Sequence, residues 1–166
     1  GVINMAIRSV ALACMISDTS LYNIDGACVV GGAVEIPVGT AVSVTSAQPV
    51  DGHKVVAAAN VAADPATGAG ALGVVVRSHY ETPDGTARVN EAVNVLTAGR
   101  IWMRTTLTSA PTFGAPVLIN EAGVVVPSGG LATGWTFAGG FIANTGTDPQ
   151  NLSVDGALVE VQVKQK

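Results

Sequence analysis

The chain has 166 residues, of which 48% are apolar, 12% charged and 4% aromatic, and its formal net charge is −4. Without a basic excess it lacks the surface of a general nucleic-acid binder, and its apolar content excludes a disordered chain. The longest apolar runs, 10–16 and 27–34, are far shorter than the roughly 20 residues that cross a bilayer. We therefore expect a folded domain whose core consists mainly of Ala, Val, Leu and Ile.

The N-terminal region predicts neither export nor a metal site. Residues 1–8 have no basic stretch ahead of an apolar run, so no signal peptide is expected, and the start at Gly1 is compatible with a processed or trimmed chain. Cys14 and Cys28 stand among apolar neighbours, and we expect both to be reduced and buried. Two cysteines and two distant histidines are too few ligands for a zinc site.

Short strands separated by turns are predicted along most of the chain. Two segments fit either a helix or a strand, namely 5–16 and 54–63. A continuous apolar run, 72–77, is typical of a strand that is buried on both faces. Further strands are predicted at 93–95 and 101–107 with 97–100 between them, at 116–119 and 124–126 as a hairpin, and at 157–164, where apolar residues alternate with polar ones.

The distribution of charge divides the chain into an arm and a domain. The first 45 residues hold four charged side chains among many Val, Ala, Ile and Met, as in a segment that lies along a neighbouring chain. We predict an extended arm at 1–45 that interacts with partner chains, and an all-β domain at 46–166, a compact antiparallel β-barrel or sandwich. The contact residues predicted in the arm are Val2, Ile3, Met5, Ile7, Arg8, Val10 and Leu12.

No catalytic residue can be nominated from the sequence. A small hydrolase would need His53 or His79 in a pocket with a nucleophile and a carboxylate. Ser78 is a poor partner for His79, because adjacent side chains on a strand point to opposite faces. The twelve carboxylates are scattered, and no phosphate-binding glycine motif is present. We expect no enzymatic activity, no cofactor and no metal.

The two tryptophans leave a choice between binding and packing. Trp102 and Trp135 suit a sugar-stacking platform if they are exposed beside a groove. A chain with so few aromatic residues more often places them in its core or in a subunit interface. Exposure of either ring would favour a carbohydrate-binding or adhesin-type β-sandwich domain of a virion fibre.

Several segments together resemble a known family. They are 72–78, 93–103, 113–124, 139–142 and 155–163. Over about residues 50–166 the sequence resembles the cement, or decoration, proteins of tailed bacteriophage capsids. The low charge also favours a surface that is largely covered by partners.

This resemblance implies a β-barrel protein with a structural role and no catalytic residues. Such a protein would be made in the host cytoplasm and bind the outside of the assembled capsid. There it would bridge neighbouring major capsid protein subunits and stabilise the shell. The implied partners are the major capsid protein and other copies of the chain, as a dimer or a trimer, with no nucleic acid and no membrane.

Overall fold

β-Branched residues and turns marked by glycine make nearly every described element a strand. The structure, a computed structural model, describes residues 11–31, 34–45, 52–58, 71–77 and 85–164. No helix in this part of the chain is long and apolar enough to cross a membrane. The described residues form a short 3₁₀ turn, Pro149–Asn151, and eleven strands: β1 (Ile16–Val30), β2 (Ile36–Pro37), β3 (Ala41–Val44), β4 (Lys54–Ala58), β5 (Gly73–Val76), β6 (Thr86–Ala87), β7 (Ala92–Arg104), β8 (Pro116–Ile119), β9 (Val125–Val126), β10 (Leu131–Ile142) and β11 (Leu158–Val163).

Five strands close into a barrel in the order β1-β4-β3-β5-β7. The β1–β4 pair is parallel, with Cys28 opposite Lys54, and the other neighbours are antiparallel. The circle closes because β7 also pairs with β1, with Ile101 opposite Ile16. The prediction of an all-β barrel is therefore confirmed.

The long strand β7 also starts a second ring of strands. One edge of β7 pairs first with β5 and then with β11, and the sheet continues through β10 and β8 to β9. Val125 of β9 forms a parallel bridge with Thr105, which directly follows β7. The backbone N–H of Thr106 and the hydroxyl of Thr105 both donate hydrogen bonds to the carbonyl of Val125, at 3.0 Å each. This bridge returns the sheet to the end of β7.

A continuous apolar core fills both rings. Along β7, Val93, Val95, Leu96, Ile101 and Met103 are buried, whereas Asn94, Arg100, Trp102 and Arg104 are partly exposed. All four residues of β5 are buried, as the unbroken apolar run predicted. Trp135 is among the largest fully buried side chains. The buried residues of this shared strand therefore contribute to the core of both rings.

Several predicted strands agree with the structure, and one prediction needs correction. The strand at 72–77, the hairpin at 116–126 and the final strand are confirmed as β5, β8–β9 and β11. The predicted interruption at 97–100 is wrong, because β7 runs without a break through that segment. Gly99 in this segment has a φ of 124° and bends the strand without ending it.

The two ambiguous segments are described only in part. In the first, 11–15 has no regular structure and β1 begins at Ile16, while 5–10 lies outside the described residues. In the second, β4 spans Lys54–Ala58 and 59–63 lies outside the described residues. Where they are described, both segments lead into or form strands.

The described part of the predicted arm shares its sheet with the predicted domain. β1 and β3 lie within 1–45, and both are members of the five-stranded barrel. The predicted boundary at 45/46 falls between β3 and β4, which are hydrogen-bonded neighbours with Val42 opposite Ala58. Interaction of the arm with partner chains stays a prediction.

Candidate functional site

A buried carboxylate joins the barrel to the second ring. Asp155 lies in the turn before β11, and its side chain is 8% exposed. Its Oδ2 accepts hydrogen bonds from the backbone N–H of Ala13 at 2.9 Å and from Nη2 of Arg77 at 3.0 Å. Its Oδ1 lies 3.3 Å from Nη2 of Arg104. One carboxylate therefore connects the segment before β1, the end of β5, the end of β7 and the start of β11.

Arg104 fixes the same turn through its backbone and side chain. Its Nη1 donates to the carbonyl of Asp155 and its Nε to the carbonyl of Val38, both at 2.8 Å. Its backbone N–H donates to the carbonyl of Gly39 at 2.9 Å. A guanidinium has five donors in a rigid plane, which suits it to hold two other segments at once. We call Asp155, Arg77 and Arg104 the junction cluster.

The two rings also meet through a close backbone contact between the β8–β9 turn and β3. The turn between β8 and β9 contains Gly123, whose carbonyl accepts a hydrogen bond from the N–H of Ala41 at 2.9 Å. Gly123 has a φ of 78°, and a Cβ there would press against the backbone oxygen and nitrogen of Ala41. Glycine is therefore required here by conformation and by space. The two rings thus meet through backbone as well as through charge.

Two buried thiols lie in and just before β1. Cys14 and Cys28 are both buried and form no disulfide, in agreement with the sequence prediction. Burial, with the nearby charge of Asp25, raises the pKa of Cys28 to about 11. The Lys54 ammonium, 2.8 Å from Asp25, lowers the pKa of that carboxyl, as does the N–H of Ala27. A protonated thiol is a poor nucleophile and a poor metal ligand.

The predicted contact residues of the arm fall mainly outside the described part of the chain. Val2, Ile3, Met5, Ile7, Arg8 and Val10 lie outside it, and Leu12 is partly buried beside the junction cluster's Ala13 contact. Among the histidines, His53 is described and His79 is not. Within the described ranges, no three His, Cys, Asp or Glu side chains come together as a metal site.

The two tryptophans differ in exposure. Trp135 is 1% exposed and packs in the core. Trp102 is partly buried, and its ring lies against Gly140 of β10. The packing interpretation is therefore correct for Trp135, and its buried ring does not support the carbohydrate-binding alternative.

The sequence prediction missed the junction cluster. Each of its arginines ends an apolar strand segment, and Asp155 precedes a glycine in a turn, so each residue by itself looks like an ordinary solvated strand end. Separations of 78 and 51 residues hide the pairing. Charged residues at the ends of strands in a chain that is only 12% charged were the available signal.

Comparison with known proteins agrees with this architecture. A search of curated proteins finds no match. The fold is similar to that of a chain in a solved structure titled "The capsid of Myoviridae Phage XM1", with a TM-score of 0.65 and 14% identity over 99% of this chain and 95% of that chain. Residues 3–164 match the family described as "Structural cement protein (E217 gp24/Pam3 gp6)". Because that match spans the barrel and the second ring, the chain belongs to the family of phage structural cement proteins, which are components of the virion capsid.

Proposed function

We propose that this protein binds the outer surface of the assembled capsid, bridges neighbouring major capsid protein subunits and stabilises the shell. The family match over residues 3–164 is the observation that carries the proposal. The match includes both rings and the junction between them, so the whole described fold serves the role. The protein acts without chemistry on a substrate.

The junction gives this fold the stiffness that bridging requires. Two rings that share β7 and are tied by Asp155 can transmit force between two attachment points without opening. Charge-assisted hydrogen bonds in partly buried surroundings are about twice as strong as neutral ones. A bridge of this kind resists separation of the subunits that it joins.

Binding should depend mainly on apolar and backbone contacts. The chain has 8 basic and 12 acidic residues, and large apolar side chains such as Phe113 and Val34 are exposed. Few ion pairs are available, so salt should weaken capsid binding only slightly. Self-association as a dimer or trimer, and contact of the arm residues near the N-terminus with a partner chain, complete the proposed assembly.

Sedimentation with undecorated particles tests the proposal. Purified protein should bind empty capsids to saturation at a fixed number of copies per particle. Saturable binding that survives moderate salt supports the proposal. An absence of saturable binding would overturn it, and complete loss in moderate salt would show that the contacts are electrostatic and not mainly apolar.

A further inference from the structure

Two aromatic side chains flank a pair of glycines on the outer face of the second ring. Trp102 of β7 lies opposite Glu160 of β11, so both side chains project from the same face of the sheet. The next strand, β10, presents Gly140 beneath the Trp102 ring, where a Cβ would lie 2.5 Å from Cη2. On the adjacent residue, a Cβ at Gly139 would lie 3.5 Å from Cδ2 of Phe113.

An irregularity in β10 places the two glycines between the side chains of Trp102 and Phe113. Pairing with β11 shifts register between Phe137 and Phe141, so that the intervening residues lie opposite Glu160. Gly139 has a φ of 106°, which a residue with a side chain rarely adopts. Such a bulge bends the strand and leaves backbone outside the regular ladder. Glycine here exposes backbone between the aromatic side chains.

Apart from Glu160 the named side chains of this face are apolar, and the face continues onto the segment before β1. Phe113 is 72% exposed and Met15 is 40% exposed. Met15 borders Trp102, because the backbone N–H of Trp102 donates a hydrogen bond to the carbonyl of Met15 at 3.1 Å. We call the set Met15, Trp102, Gly139, Gly140 and Phe113 the aromatic face.

One acidic group in this face indicates the chemistry of its occupant. Glu160 forms no ion pair with any residue in the described ranges, although its strand neighbours Trp102 and Gly140 are apolar. A carboxylate beside an indole ring favours a cation, which is attracted by the charge and by the face of the ring. Gly139 is exposed and lacks a side chain, so the backbone of a ligand can approach it closely, whereas the space above Gly140 is filled by the Trp102 ring. The complementary ligand is an extended apolar segment with one lysine or arginine.

We infer that this protein binds the capsid through the aromatic face, and that this face binds an extended, apolar segment of the capsid protein that carries a single basic residue. This inference rests on the proposed function and assigns it to one face of the second ring. The basic side chain lies over Trp102 with its charge toward Glu160, and the apolar residues of the segment pack against Phe113 and Met15. The barrel then projects away from this contact.

Two pairs of substitutions test the inference by sedimentation with undecorated particles. Phe113→Ser should weaken binding about tenfold or more, since anchoring aromatics carry much of the energy of an interface. Val154→Ser is the matched control, because Val154 is an apolar side chain that is 78% exposed and lies in the turn before β11, outside the aromatic face. Glu160→Lys should weaken binding about as much, whereas Glu121→Lys, in the exposed β8–β9 turn, changes the net charge equally and should have no effect.

The outcomes separate this inference from the proposed function. If the unsubstituted protein does not bind particles, the proposed function fails and the inference fails with it. If it binds and Phe113→Ser and Glu160→Lys bind as tightly as their controls, the aromatic face is not the capsid contact, while the proposed function stands. If these two variants lose self-association in sedimentation velocity but keep capsid binding, the face joins two copies of the chain, and the inference is overturned.

Discussion

Replacing Asp155 with asparagine removes the charge of the junction cluster while keeping its size and shape. In the unsubstituted protein the Asp155 carboxylate accepts hydrogen bonds from Ala13, Arg77 and Arg104. An asparagine side chain retains one acceptor oxygen, and its NH₂ group faces donors. At least one of the three contacts therefore becomes donor against donor. Both guanidinium groups also lose their counter-charge.

The structure sets the scale of the expected loss. Breaking a fully buried pair by removing one partner costs about 3–5 kcal/mol, and a hydrogen bond to a charged group contributes about 1.5–3 kcal/mol. The side chains of Arg77 and Arg104 are 30% and 23% exposed, so water partly solvates them after the change. We therefore expect Asp155→Asn to lower the unfolding free energy by about 2–4 kcal/mol, a fall in Tm of about 10 °C.

Urea unfolding followed by circular dichroism measures this loss directly. Glu121→Gln is the control, because Glu121 is exposed in the β8–β9 turn, and neutralising it should change the unfolding free energy by no more than about 0.5 kcal/mol. If Asp155→Asn were as stable as this control, the junction cluster would not hold the two rings together. The fold would then lack the rigid connection between its two rings that bridging requires.

Three further outcomes test other parts of the structure. Gly123→Ala should lower the free energy of unfolding by about 2 kcal/mol or more, because the new Cβ meets the backbone of Ala41. Gly129 has a similar φ but open space around it, so Gly129→Ala should lower it by only about 1 kcal/mol, and equal losses in urea unfolding would contradict the close contact at Gly123. The raised pKa of Cys28 means that the folded state holds its proton more tightly, so the unfolding free energy should fall as pH rises from 9.0 to about 11, and a slope unchanged in Cys28→Ala would refute this. Deleting residues 1–10 should leave the urea midpoint unchanged but weaken capsid binding or self-association, and full binding by the shortened chain would remove the proposed role of the arm.

Hydropathy patterns predicted the fold well where strands alternate or are wholly apolar. The final strand β11 and the buried strand β5 belong to this group. β1 was missed as a strand because its polar residues obscure any alternation, and its long pairing with β7 is set by residues about 75 positions away. β10 was missed as a long strand because its glycine pair looks like a turn, although it forms a bulge within the strand.

The candidate sites were beyond sequence patterns for a related reason. Asp155 meets Arg77 and Arg104 only after β5, β7 and the β10–β11 connection reach the same end of the fold. Trp102, Glu160 and Phe113 likewise share a face through cross-strand register, which local periodicity does not specify. The resemblance to capsid cement proteins supplied the functional class that the individual residues did not.

Heating of DNA-filled particles with and without added protein tests the central claim most directly. A protein that binds only the assembled shell stabilises it by about 2.7 kcal/mol per site when its concentration is a hundredfold above Kd. Repeated over many equivalent sites, this should raise the temperature at which a dye reports DNA release, in proportion to the bound copies. Release at an unchanged temperature, from particles shown by sedimentation to be fully decorated, would contradict a stabilising role.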